Sequence, residues 1–280
     1  MTNNLAVKKT TVAQFLGSIN MKNYIEGVLK ERAPQFVTSL VSMANLTPGL
    51  RDCDPETLMF CGLKAASLNL PLDNNLGFAY AVPYGKVCQF QIGYRGFVQL
   101  AMRTGQYKSM NVVNIHAGEL ISWDPFTEEI ELEIMQDQEV RVKLPIIGYA
   151  SVFILLNGFK KVSYWPTERV EAHARKFSKA FNNGPWKSDY NAMARKTVLK
   201  DMLNHWGPAS VEVATAVKFD QSVIKRDEGG NEYPEYVDST SEEVKALPES
   251  SVEEEFRLAQ EAKAESLRLD AELAAKEAGQ

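Results

Sequence analysis

The sequence predicts an α+β protein: a twisted, largely antiparallel sheet flanked by helices, followed by a mostly flexible acidic C-terminal segment. Three observations predict it. Stretches with period-two alternation, such as residues 87–92 and 148–156, are joined by the turn pairs Gly85-Lys86 and Asn157-Gly158, which suit antiparallel hairpins. Around them run segments whose apolar residues recur at threes and fours. The 280 residues are 45% hydrophobic and 10% aromatic, enough for a sizeable core.

Charge divides the chain. Its net charge of −5 combines a tail, residues 226–280, with 16 acidic and 6 basic side chains and a body, residues 1–225, with 25 basic and 20 acidic ones. Eight of the body's acids lie between Glu119 and Glu139, where there is no lysine or arginine. The remainder of the body is strongly basic, a footprint suited to a polyanion that the overall charge hides. No apolar run is long enough for a membrane span, and the N-terminal residues lack a signal peptide's apolar core, so export is not expected. Cys53, Cys61 and Cys88, odd in number and irregularly spaced, read as reduced, buried thiols.

In chain order, residues 1–14 read as a loose polar arm. Residues 15–46 read as helical, with Pro34 separating two helices, and residues 56–67 as a third helix capped by Asp54 with Pro55 in its first turn. Residues 78–84 and 87–92 form a hairpin. Residues 110–116 and 121–123 read as strands, and residues 130–134 and 140–144 as a further hairpin with acidic edges. Residues 148–156 and 159–165 flank the Asn157-Gly158 turn. Lys161 shares a strand face with Ser163 and Trp165, and Lys160 shares the other with Val162 and Tyr164. One lysine faces a groove and the other solvent, and the pattern does not assign which. Helices follow from Thr167 and over 189–206, with the latter stopping at Gly207-Pro208. Trp186 and Lys187 sit in the linker between them, suited to a loop that grips a strand. Residues 227–251 read as a linker. Ser251 and Glu254 form a capping box for a last helix with a thin apolar face, suited to docking a partner.

Two segments carry candidate chemistry. In residues 87–108, a strand with Gln89 and Gln91 turns at Gly93-Tyr94-Arg95-Gly96 into a helix that ends near Gly105. Arg95, Gln99 and Arg103, spaced i, i+4, i+8, share one helix face, and Tyr107 and Lys108 follow at its exit. Arginine forks bind phosphate, amides read polar edges and tyrosine rings stack on bases. The plainer alternative is a solvated helix face beside a core strand. The second segment, 160–200, holds 10 basic and 3 acidic residues, among them Lys161, Arg175, Lys179, Lys187, Arg195, Lys196 and Lys200, with Trp165 and Trp186. An imbalance of this size favours a phosphate track over a merely soluble face, which would mix signs.

The stretch QFQIGYRGFVQLAMRTG, preceded by residues 68–72 and 81–85, closely resembles the signature of the RecT family of phage single-strand annealing proteins. The resemblance continues through residues 145–149, 184–186 and 192–198 and covers roughly 25–210. It implies a Rad52-like annealing core, ATP-independent binding of single-stranded DNA, annealing of complementary strands and assembly into rings or helical filaments. It also implies a bacterial host cytoplasm, no catalytic residue, no metal and no cofactor. A companion 5′→3′ exonuclease and the host single-strand-binding protein would be the partners of the C-terminal segment. On this reading Arg95, Arg103, Lys108, Lys161, Arg195 and Lys196 hold phosphates, while Gln91, Gln99, Tyr94, Tyr107, Trp165 and Trp186 line a groove that leaves base edges free. Residues 1–225 form the annealing and assembly core, and 226–280 the linker and docking helix.

Other functions remain open to the sequence. There is no GxxxxGK[ST] loop for ATP, no CxxC and no HExxH, and His116, His173 and His205 are isolated. Asp73, Asp124 and Asp201 do not cluster in sequence as nuclease ligands often do, though lone acids can converge on folding. A non-annealing single-strand DNA or RNA-binding protein, a metal-dependent nuclease and a structural assembly protein are the alternatives.

Overall fold

In the computed structural model, residues 10–237 are described apart from Asn74, Ala180, Asn183 and Ala209. The helix expected after Ser251 lies outside them. Helix α1 (Val12–Leu16) begins inside the stretch read as a loose arm, because Thr11 and Gln14 cap it reciprocally. It is followed by α2 (Ile19–Leu29), a tight turn at Lys30–Arg32, α3 (Ala33–Leu46) with Pro34 in its first turn, and α4 (Pro55–Ser67). Asp54 caps α4 by accepting from the Glu56 N–H at 3.0 Å.

Helix α4 is buried all round from Thr57 to Ala65. Leu58, Met59, Phe60 and Leu63 each gain about 1.5–3 kcal/mol by leaving water. Lys64 is only 8% exposed on the same helix. Its ammonium pairs with Glu232 at 2.6 Å and lies 3.9 Å from the centroid of the Phe219 ring.

The chain continues through β1 (Ala79–Tyr84), β2 (Val87–Ile92), α5 (Tyr94–Arg103), β3 (Tyr107–His116), β4 (Leu120–Asp124), β5 (Glu129–Leu132), α6 (Gln138–Arg141), β6 (Ile146–Leu155) and β7 (Lys160–Pro166). Then come α7 (Thr167–Phe177), α8 (Pro185–Ser188), α9 (Tyr190–Trp206), α10 (Val211–Phe219), β8 (Val223–Arg226) and β9 (Glu232–Glu235). The expected α+β class, with antiparallel strands flanked by helices, is what the structure has. The strands fall into four sheets: β3-β6-β7 and the hairpins β1-β2, β4-β5 and β8-β9.

Period two along β6 and β7 sorts the three-stranded sheet into two faces. Tyr149 and Trp165 pack with Val170, Ala174, Ala194 and Val198 of α7 and α9. On the opposite face Ala150 and Tyr164 join Ile115 under Trp123, Ile130 and Leu132 of the β4-β5 hairpin. Cys53, Cys61 and Cys88 are free and buried, as expected.

Two sequence expectations are corrected here. Residues 140–144 do not pair with 130–134; β5 pairs with β4 instead. The Asp137 carboxylate accepts from the N–H groups of Glu139 (2.9 Å) and Val140 (3.2 Å), starting a helical turn that overrides the alternation of Val140, Val142 and Leu144. Arg141 then reaches the buried Glu119, its Nε 2.5 Å from the carboxylate. The boundary placed at 225/226 falls inside β8, and β9 occupies part of the expected linker, tied to α4 through Glu232. The first of the chain's two units runs to Asp238.

Candidate nucleic-acid interface

Helix α5 is positioned by close backbone approach. A side chain at Gly93 would place its Cβ 2.1 Å from the Gly77 carbonyl oxygen, and one at Gly96 2.2 Å from that of Phe78. Only glycine lets the helix start so near the chain leading into β1. At the other end Gly105, at φ +67°, takes the left-handed conformation that closes the helix.

The predicted face of α5 is presented as a row. Arg95 is exposed and donates to the Leu76 carbonyl at 3.3 Å. Arg103 is also exposed and donates to the carbonyls of Leu68 (2.8 Å) and Asn69 (2.7 Å), at the turn that ends α4. Gln99 lies between them, and with Arg103, Asn69, Phe78 and Arg32 it lines a cleft of about 440 Å³. A carbonyl steadies a guanidinium without cancelling its charge. Among the described residues no carboxylate forms an ion pair with Arg32, Arg95 or Arg103, although Glu212 lies close enough to Arg103 to feel its field. Arg32 carries no sequence signal; its place in the cleft depends on how α3 and α4 pack.

Arg195 of α9 lies near enough to two phenols, Tyr94 at the start of α5 and Tyr149 of β6, for its charge to act on both. Burial raises the Tyr94 hydroxyl above its ordinary pKa, with Arg195 opposing. Burial and the nearby Tyr190 push Tyr149 up to about 12, again against Arg195. Both rings stay neutral hydrogen-bond donors at neutral pH, and Tyr149 donates to Asn191 Oδ1 at 2.7 Å. Tyr149, Tyr190 and Asn191 were not singled out as site residues. Their only cue was position: one strand and one helix that pack together. The Tyr190 hydroxyl has no hydrogen-bond partner among the described residues.

Further along α9 the predicted lysines are engaged. Lys196 is 7% exposed and bonds Asp220 at 3.1 Å; Lys200 bonds the same carboxylate at 2.9 Å. Asp220, 1% exposed, also accepts from the Ile92 N–H at 2.8 Å. Burial pushes the Asp220 carboxyl up, but the two ammoniums and that amide more than reverse it and hold it below the usual carboxylate range. Burial likewise lowers the Lys196 ammonium, with Asp220 opposing. This triad joins α9 to the end of β2, directly ahead of α5.

Several other predicted residues do not line an open groove. Trp165 and Trp186 are 4% and 5% exposed. Trp186 sits in α8, its ring 5.5 Å from Tyr190. Trp165 packs on His173 and under the Arg169 guanidinium, 3.9 Å from its ring centroid. Lys161 is 6% exposed, paired with Glu128 and lying over the Trp206 ring, while Lys160 faces solvent. Tyr107 packs edge-on against Phe153, and burial pushes its hydroxyl up to about 12. Gln91 donates to Gln89 at 2.7 Å. Arg175 pairs with Glu171 at 2.6 Å. Lys179 lies beyond α7, which ends at Phe177, and donates to the Val237 carbonyl at 3.0 Å. Lys108 and Lys187 are exposed. Asp73, Asp124 and Asp201 are each engaged locally, with Asn75, Phe126 and His205.

Charge nevertheless accumulates around α7. Burial, together with Lys200, Arg169 and Lys176, lowers His173 to about 4, so it is neutral at pH 7.

Comparison with known proteins places the chain in a family. The chain is 45% identical over 251 residues to the uncharacterized protein YqaK of Bacillus subtilis (strain 168), covering 90% of this chain and 84% of that one. It is 27% identical over 226 residues to protein RecT of Escherichia coli (strain K12), covering 77% and 82%. The RecT family model matches residues 34–241, so the signature around Arg95 and the α9 segment around Arg195 lie in one matched region, and the chain belongs to the RecT family.

Proposed function

We propose that the protein binds single-stranded DNA along Arg103, Gln99, Arg95, Tyr94 and Arg195, with Arg32 in the cleft, and anneals complementary strands without ATP. Membership of the RecT family supports a role in DNA recombination by strand annealing. The observation that carries the residue assignment is that Arg95 and Arg103 are held by backbone carbonyls rather than by carboxylates. Their forks remain available to phosphate. Contacts to backbone rather than base edges suit a protein that accepts any sequence. Assembly into rings or filaments would repeat the track over many nucleotides and make binding cooperative.

The test is annealing of two complementary labelled oligonucleotides without nucleotide triphosphate. Acceleration with both strands intact is expected. Tight binding without acceleration would make the protein a non-annealing DNA or RNA binder, and shortened strands a nuclease. Filaments indifferent to DNA would make it a structural assembly protein. The segment after Val237 we assign to docking of partners, an exonuclease and a single-strand-binding protein. A chain truncated there should anneal in vitro and fail in cells.

A further inference from the structure

Trp206 ends α9 and is 50% exposed, whereas Trp165 and Trp186 are almost completely buried. Lys161 places its ammonium 3.0 Å from the centroid of the Trp206 ring. Because Lys161 is itself buried and paired with Glu128, it occupies the inner face of the indole. The exposed half of Trp206 is therefore the outer face, a flat aromatic surface braced from beneath by a cation–π contact.

Strands β3 and β7 meet this end of α9. Gly207 follows, and a Cβ there would lie 2.8 Å from the Tyr107 hydroxyl, which brings the exposed Lys108 to the same end of the sheet. The exposed Lys160 is the neighbour of Lys161 on β7. Phe159, 44% exposed, precedes them.

We infer that Trp206 is a base-stacking platform for single-stranded DNA. The inference rests on the DNA-binding function proposed above and extends it beyond the residues assigned there. An exposed flat ring binds any base, since every base offers a π-face, and so adds affinity without sequence preference. Eleven residues separate Trp206 from Arg195, about 16 Å along the helix. That is the length of about five nucleotides at duplex-like spacing. A strand reaching from Arg195 to Trp206 would thus pass from a phosphate grip to a stacked base.

The experiment titrates the full chain with oligo(dT) while following tryptophan emission and its quenching by acrylamide. Emission should fall and acrylamide access should drop as DNA binds. Trp206→Leu should abolish both changes and weaken binding at least about fivefold, with the salt slope unchanged because no phosphate contact is lost. Trp206→Phe, which keeps a ring, should bind within about threefold of the parent. Binding of oligo(dT) with no change in emission or acrylamide access would overturn the inference. So would unchanged affinity in Trp206→Leu, or protection from acrylamide that rises with protein concentration alone, which would assign the face to a second copy of the chain. Failure of the parent protein to bind oligo(dT) would instead remove the DNA-binding function itself. Binding by the parent protein without any emission change would overturn the inference even if a variant does not fold.

Discussion

Helices α5 and α9 carry basic residues at similar helical spacing, yet the fold uses them differently. On α5, Arg95 and Arg103 rest on backbone carbonyls and remain exposed with their full charge. On α9, Lys196 and Lys200 converge on the buried Asp220 and join the helix to β2. A count of cations treats the two helices as equals. What separates them is the chemistry of the acceptor: a carbonyl orients a charge, whereas a buried carboxylate neutralises it.

The largest effect should come from the buried triad. Asp220→Ala leaves Lys196 without a counter-charge in the interior and should cost about 3–5 kcal/mol, read from urea unfolding. Stability within about 0.5 kcal/mol of the parent, the range of an ordinary surface substitution, would end the assignment of α9 to structure.

Next is Glu119, 1% exposed, where Arg141 and the His116 and Met135 amides outweigh burial and hold the carboxyl at about 2. Its pKa is depressed on folding, so its contribution is complete above the unfolded value near 4.5 and is lost as pH falls from there through about 2. Acid unfolding should show a loss of about 2–3 kcal/mol across that window. Glu119→Gln should lower stability at neutral pH and flatten that slope. An unchanged acid profile would contradict the buried pairing.

Smaller in stability, but decisive for binding, are the arginines. Arg95→Ala, Arg103→Ala and Arg195→Ala should each reduce the salt slope of single-strand binding by about 0.7, the value for one phosphate contact. Affinity should fall to a similar extent for unrelated sequences. Smallest of all, Arg175→Ala breaks an exposed pair with Glu171 and should change stability by less than about 1 kcal/mol.

Much of the fold was legible because local rules and tertiary packing agree. Asp54 and Pro55 start α4, Asn157-Gly158 joins β6 to β7, and Gly105 closes α5 as expected. Residues 140–144 fold against their pattern because alternation there competes with the Asp137 cap and the pull of Glu119 on Arg141. For the candidate interface, the shared face of Arg95, Gln99 and Arg103 follows from helical spacing alone. Arg32, Tyr149 and Trp206 reach their surroundings only through contacts between elements distant in sequence. The sequence suggests Lys196 and Lys161 as phosphate contacts because nothing near them in sequence announces Asp220 or Glu128 as their partners.

The contrast between the helices is tested most directly by the salt dependence of oligo(dT) binding for Arg95→Ala and Lys196→Met, measured side by side. The slope should fall by about 0.7 for Arg95→Ala and stay at the parent value for Lys196→Met. A slope that falls for Lys196→Met and holds for Arg95→Ala would give the phosphate contact to Lys196 rather than Arg95 and contradict the account.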